Sequence, residues 1–258
     1  MRSKKIIAIA NGVLLVVTIA ISYLSSTGIF NGNTMASLSA RYPTLVTPEP
    51  YAFGIWGLIY LALAGFVIYY GRMAFQAPES DDPALRVGGW FIVTCVANSC
   101  WVLAWLYDQT GLSVLLMIVL LVSLMRIVVL TDMELSDPLW PVIVFVWWPF
   151  CYYAGWITVA LLANIGAWLV KLQFTNFEMI WAIGMILLAG AVYLWMTWKR
   201  NMREYAIVGV WAIVGVAVAD RHREAGVASI ALIVAAILFV SSGLHAWKNR
   251  AYGPFRKR

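Results

Sequence analysis

Residues 111–131 read GLSVLLMIVLLVSLMRIVVLT, a run in which Arg126 is the one charged side chain. An α-helix rises about 1.5 Å per residue, so about 20 apolar residues cross the hydrocarbon core of a bilayer. This run has that length and no periodic polar face. It therefore reads as a transmembrane helix and not as an amphipathic helix covering a soluble core. Working outward with the same ruler marks seven more spans, 5–26, 51–71, 88–107, 139–165, 177–198, 205–219 and 226–247. The expected fold is all-α, a polytopic transmembrane helical bundle of about eight helices. The 205–219 segment is the shortest and suits a buried, tilted or re-entrant helix.

Composition leads to the same class. Of 258 residues, 63% are apolar and 12% charged, about half the charge of an ordinary soluble domain. A soluble fold of this length has too little interior to hide such a surface, whereas a bilayer accepts it. The first span follows Lys4 and Lys5 as a signal peptide would, but it is long for one and lacks a small-x-small cleavage site, so an uncleaved anchor is expected. Cys95, Cys100 and Cys151 all fall in apolar runs and read as inert, buried thiols.

The net charge of +6 does not point to nucleic acid, because the basic residues sit at the ends of apolar runs. With the N-terminus inside, the inner segments hold Arg2, Lys4, Lys5, Arg72, Arg86, Lys199, Arg200, Arg203, Lys248, Arg250, Arg256, Lys257 and Arg258. The outer segments hold Arg41, Lys171, Arg221 and Arg223. That imbalance fits an even number of spans with both termini in the cytoplasm.

The chain carries 14 Trp, 12 Tyr and 11 Phe. Trp90, Trp140, Trp181, Trp198 and Trp247 lie at span ends, where interfacial belts account for them. Trp56, Trp101, Trp105, Trp156 and Trp211 lie deeper. Phe53, Trp56 and Tyr60 share one helical face of the second span, and Asn98, Trp101 and Trp105 repeat that spacing on the third. Tyr152, Trp156, Ala160 and Asn164 step by four along the fifth. An amide inside a span is costly without a partner, so Asn98 and Asn164 should face the bundle interior and carry these stripes inward. The plainer reading is helix packing with the two amides as interhelical glue. Large rings at matching depths on three helices favour a ligand site walled by aromatics.

These residues resemble the TspO/MBR family, the tryptophan-rich sensory and translocator (peripheral benzodiazepine receptor) proteins. Pro50-Tyr51-Ala52-Phe53-Gly54-Ile55-Trp56 through Tyr60 is similar to the second-helix signature of that family. Asn98-Ser-Cys-Trp101 resembles its Asn-x-x-Trp/Phe motif, and Trp156 through Ala160 to Asn164 its fifth-helix ending. Gly54 stands where a proline is common, and Leu116 where the fourth helix carries an acid. The resemblance covers 1–168 and implies a five-helix bundle there, with 169–258 as a C-terminal three-helix extension ending in a basic tail. It implies binding of porphyrins such as protoporphyrin IX or haem, of sterols, or of isoquinoline-carboxamide drugs. The matching pocket positions are Trp56, Tyr60, Asn98, Trp101, Trp156 and Ala160, with residues 27–50 as a lid. Tyr51, Phe53, Trp105 and Asn164 complete the expected ligand-binding set.

Other residues read more plainly. Arg126 snorkels toward the inner surface, Asp108 caps a turn, and Asp220-Arg-His-Arg-Glu224 forms a solvated hairpin. His245 alone is a structural histidine and not a haem ligand. No Ser-His-Asp set, phosphate loop or His/Asp/Glu cluster appears. The expected function is a receptor or carrier for a planar lipophile, with a sensory or regulatory role, requiring no cofactor. An enzyme acting on a porphyrin, isoprenoid or carotenoid is the first alternative, and a small-molecule transporter the second. The expected partners are a lipophilic small molecule and the bilayer of a bacterial cytoplasmic membrane. Gly184, Gly190, Gly209 and Gly215 would permit close helix contact, including a homodimer.

Overall fold

A computed structural model describes residues 2–248. Arg250, Arg256, Lys257 and Arg258 of the basic tail lie outside the described residues. All regular elements among those described are helical, in agreement with the all-α expectation. Eight are long: α1 (Arg2–Leu24), α3 (Ile55–Gln76), α5 (Trp90–Leu106), α6 (Thr110–Leu130), α8 (Trp148–Lys171), α9 (Glu178–Arg200), α10 (Arg203–Asp220) and α11 (Ala225–Lys248). The shorter α2 (Met35–Arg41), α4 (Pro83–Val87) and α7 (Trp140–Val142) lie in the connections. The eight long helices follow the eight apolar runs.

Among the described residues, six helical segments are long and apolar enough to cross a membrane. The other two long helices are exceptions for clear reasons. The α5 helix is short, at 17 residues, and α10 carries Arg203, Glu204 and Asp220 at its ends. Both bury one face: Phe91, Thr94, Asn98 and Leu106 of α5, and Ala206, Ala212 and Asp220 of α10, are fully buried. The outward faces of α1, α3 and α11 instead expose Val16, Leu61, Ile68, Ile233 and Phe239, the apolar surface a bilayer covers. The protein is an integral, multi-pass membrane protein.

Local sequence explains the irregular points. Pro149 has no N–H to donate back into the preceding turn. The chain there runs from α7 through a π-helical turn, Ile143–Trp147, into α8. At the end of α1, the hydroxyls of Ser25, Ser26 and Thr27 donate to the carbonyls of Ser22, Tyr23 and Leu24. They satisfy carbonyls that a terminating helix leaves open. A capping box between Thr34 and Ser37 starts α2.

Polar contacts sort the connections onto two end faces. On one, Lys4 donates to the carbonyl of Pro78, Arg86 pairs with Asp132, and Asn201 donates to the carbonyl of Glu134. On the other lie residues 25–50, the turn at Asp108, the α8–α9 loop and the α10–α11 hairpin. The long helices alternate between these faces, so both ends of the described chain lie on the first.

The last three helices are welded to the rest. A Cβ at Gly155 of α8 would lie 2.8 Å from the carbonyl oxygen of Tyr205, so α8 and α10 touch backbone to backbone. Tyr193 donates to the carbonyl of Gly155, and Tyr205 shares a 2.5 Å hydrogen bond with Thr158. The glycines read as permissive are largely occupied within the chain: Gly190 faces Val234, Gly209 the Tyr193 ring, and Gly215 Ala52. Gly184 faces open space.

Candidate functional site: an aromatic stack beneath a tethered lid

The site is built where α3, α5 and α8 meet. Trp56 of α3 stacks on Tyr60, one turn further along its own helix, with centroids 5.3 Å apart and planes 25° apart. Its other contact is Trp101 of α5, at 6.2 Å and 22°. Tyr153 of α8 meets the Trp56 ring edge-on at 5.7 Å. Phe53, in the 3₁₀ turn Pro50–Gly54 that leads into α3, packs edge-on against Trp156 at 5.4 Å. Aromatic pairs at such distances contribute about 0.5–1.5 kcal/mol each beyond the area they bury.

Polar atoms punctuate this array. Asn98, fully buried, donates its amide N–H to the hydroxyl of Tyr153. The amide oxygen of Asn98 and the indole N–H groups of Trp101 and Trp156 are buried without a hydrogen-bond partner. Each such atom costs about 1–3 kcal/mol when left unpaired. Ser22 of α1 shares a 2.5 Å hydrogen bond with Tyr60 and fixes the tilt of that ring.

The expected residues fall into two groups. Phe53, Trp56, Tyr60, Asn98, Trp101 and Trp156 come together. Ala160 is half-buried against the same core. Trp105 lies apart, in a small cluster with Leu38 and Ala167 beneath α2. Asn164 accepts a 2.8 Å hydrogen bond from Ser113 of α6, the arrangement of an interhelical tie. Tyr51 is exposed and packs edge-on against Trp211 of α10 at 5.3 Å.

Some inward residues were not singled out by spacing. Tyr153, not Tyr152, is the buried fifth-span tyrosine; Tyr152 is half-buried near Trp148. The step of four that put Tyr152 on the inward stripe is thus off by one residue, because the α8 helix is rotated to bury Tyr153 instead. Ser22 gave no signal beyond being a hydroxyl near a span end. Cys100 is exposed on α5, contrary to the expectation of three buried thiols, whereas Cys95 and Cys151 are buried. Asp220 is fully buried, not solvated, because α10 reaches to that residue and Arg223 pairs with it at 3.5 Å. Arg126 is exposed on α6.

Residues 25–50 lie at the end of the bundle where α5 gives way to α6 and are held at several points. Asn33 donates to the carbonyl of Leu106 at 2.9 Å. Asp108, expected only to cap a turn, accepts from the Tyr42 hydroxyl at 2.9 Å and pairs with Lys171 at 3.0 Å and Arg41 at 3.5 Å. Burial opposes ionisation of Asp108, but hydrogen bonds from Lys171 and Tyr42 and the charges of Lys171 and Arg41 outweigh it. They hold the carboxyl below its usual range. Further along, the Leu45 N–H donates to Glu178 at 3.0 Å, and Arg223 donates to the carbonyl of Thr44 at 3.4 Å.

The fold and this array define a class: a polytopic helical membrane protein with a cross-helix tryptophan stack and a long connection anchored at several points. The family model described as TSPO-like protein matches residues 8–244, and the chain belongs to that family. The match runs through α9, α10 and most of α11, beyond the 1–168 segment that carries the motif resemblance. No curated protein and no solved structure matches the chain.

Proposed function

We propose that the chain is a membrane receptor or carrier that binds a planar lipophile among Phe53, Trp56, Tyr60, Asn98, Trp101 and Trp156. A tetrapyrrole such as protoporphyrin IX or haem is the favoured ligand, with a sterol or isoprenoid as the other candidates. The observation that carries this reading is the Tyr60–Trp56–Trp101 stack bordered by three unpaired polar atoms. Parallel ring faces from two helices offer a flat molecule large contact area at little cost in side-chain freedom. The Asn98 oxygen accepts, and the two indole N–H groups donate. A ligand edge bearing both kinds of group would pair with all three atoms.

In this reading the lid turns the site away from the aqueous phase, and its tethers at Asp108 and Glu178 regulate access. The face holding Lys4, Arg86 and Arg200 is cytoplasmic, following the excess of basic residues, and the membrane is the bacterial cytoplasmic membrane. The role is sensory or regulatory binding of the lipophile.

The test is a titration of the purified chain with protoporphyrin IX, followed by tryptophan fluorescence. Saturable quenching that is weakened in Trp101→Ala and Trp156→Ala supports the reading. Quenching that never saturates, and is the same in both variants, sinks it. Uptake into proteoliposomes then separates a carrier from a receptor.

A further inference from the structure

The 3₁₀ turn that carries Phe53 is held from outside the three helices that form the aromatic array. The indole N–H of Trp211, on α10, donates to the carbonyl of Ala52 at 3.0 Å. The same ring packs edge-on against Tyr51. One turn further along α10, the carbonyl of Gly215 accepts from the Glu49 N–H at 3.0 Å. A Cβ on Gly215 would lie 3.0 Å from the Cβ atoms of both Ala52 and Pro48, so no larger residue fits without shifting the turn. Ala52 itself is fully buried. In this way α10 takes up a backbone donor and a backbone acceptor of residues 49–52, and its glycine sets how closely the turn approaches.

Phe53 and Trp56 follow directly in sequence. Phe53 meets Trp156 of α8, and Trp56 meets Trp101 of α5. The position of the 49–54 turn therefore decides how two rings of the array meet two other helices. Nearer its N-terminal end α10 is seated on α8, where Tyr205 and Val208 meet Gly155, so α8 and the turn share one support.

We propose that Trp211 and Gly215 of α10 are positioning residues for the ligand site. On this view the C-terminal helices set the shape of the binding rim from its outer side. The inference rests on the ligand-binding reading above and extends it to a helix outside the resemblance. The tryptophan acts through the Ala52 carbonyl and the glycine through the closeness of the Pro48–Ala52 backbone. Neither needs to touch the ligand.

The experiment uses the full chain in one detergent, with protoporphyrin IX as the probe and two readouts. The first is affinity, read from porphyrin absorbance so that removing a tryptophan does not alter the signal. The second, without ligand, is hydrogen–deuterium exchange of the peptide covering residues 47–55. Trp211→Phe keeps an aromatic ring against Tyr51 and deletes only the donor. It should weaken affinity about fivefold, the effect of one lost hydrogen bond of about 1 kcal/mol, and speed exchange of the turn. Gly215→Ala should weaken affinity by about tenfold or more, in line with overpacking at a tight contact. Ala52→Gly, which removes one of the two atoms that clash, should restore much of the loss in the double variant. Trp195→Phe, on the exposed side of α9, should match the parent in both readouts.

If exchange of residues 47–55 is unchanged in both variants, α10 does not hold the turn and the proposal is wrong. Faster exchange with unaltered affinity also overturns it, because the turn is then held for stability alone. If the parent protein binds no porphyrin saturably, the ligand reading itself fails and takes this inference with it. Exchange data from the unliganded protein distinguish that case from the other two.

Discussion

Trp56 lies between Tyr60 and Trp101, its indole nearly parallel to both rings. Tyr60 belongs to the same helix, so that half of the stack follows from spacing. Trp101 comes from α5, so the other half exists only because two helices are rotated to face each other. Removing Trp101 should therefore disturb the site without unwinding α3. Trp101→Ala is expected to weaken protoporphyrin IX binding about tenfold, the scale of one lost stacking partner. Far-ultraviolet circular dichroism should be unchanged. Affinity equal to the parent would remove Trp101 from the site.

Asn98 and Tyr153 are expected to behave as a unit. Asn98→Ala leaves the buried Tyr153 hydroxyl without its donor, at a cost of about 1–3 kcal/mol. Tyr153→Phe leaves the Asn98 amide unpaired instead. The double variant should lose less stability than the two single losses added together. Thermal unfolding of all four proteins in one detergent measures this coupling, and strict additivity would mean that the bond contributes nothing.

Asn164 gives the contrasting case. Its oxygen accepts from Ser113, which ties α8 to α6 away from the ring stack. Asn164→Ala should lower stability by about 0.6–2 kcal/mol, the range of such bonds in bundles. Porphyrin affinity should stay within about twofold of the parent. A large loss of affinity at unchanged melting temperature would return Asn164 to the ligand site.

The lid tether at Asp108 predicts acid sensitivity. The folded protein holds this carboxyl below its ordinary 3.8. Its stabilising contribution is therefore complete above that value and is lost as pH falls through the lower folded value. The charges are partly solvent-exposed, so salt should weaken the tether as well. Asp108→Asn should remove both the acid-dependent and the salt-dependent release of residues 35–42. Limited proteolysis of the lid across that pH range reads the effect, and an acid response that survives the substitution would place its origin elsewhere.

On the opposite face, Glu134 predicts the reverse slope. Burial, and then repulsion from Glu204, push its carboxyl from 4.5 up to about 8, although Arg203 acts against this. The folded state then binds a proton that the unfolded state has released, so the stability contributed by the neutral acid falls as pH rises from 4.5 to about 8. Glu134→Gln should flatten that decline and give the higher melting temperature above it. A slope identical to the parent would show that Glu134 does not titrate in this window.

Much of the architecture was legible because membrane helices announce themselves locally. Hydrophobic run length and flanking charge are properties of the chain itself, and the eight runs became the eight long helices. The lid could be placed because a polar, proline-rich segment between two apolar runs has to lie outside the bilayer. Spacing also brought Trp56 and Tyr60 to one face of α3, although Phe53 falls in the 3₁₀ turn before it. It did less well with α8, where the step of four chose Tyr152 and the structure buries Tyr153, and with Asp220, which the end of α10 carries into the interior.

The sequence by itself determined a multi-span helical membrane protein and the depth of its tryptophans, since hydropathy and helical rise need no knowledge of neighbours. Only the tertiary structure decided which rings meet. Helix rotation and spacing brought Trp101 to Trp56 and sent Trp105 to Leu38 and Ala167 instead. They also gave Asn164 to Ser113 and left the Asn98 oxygen unpaired. The physical reason is that partnership between side chains on different helices depends on interhelical distance and rotation, which no single stretch of chain encodes.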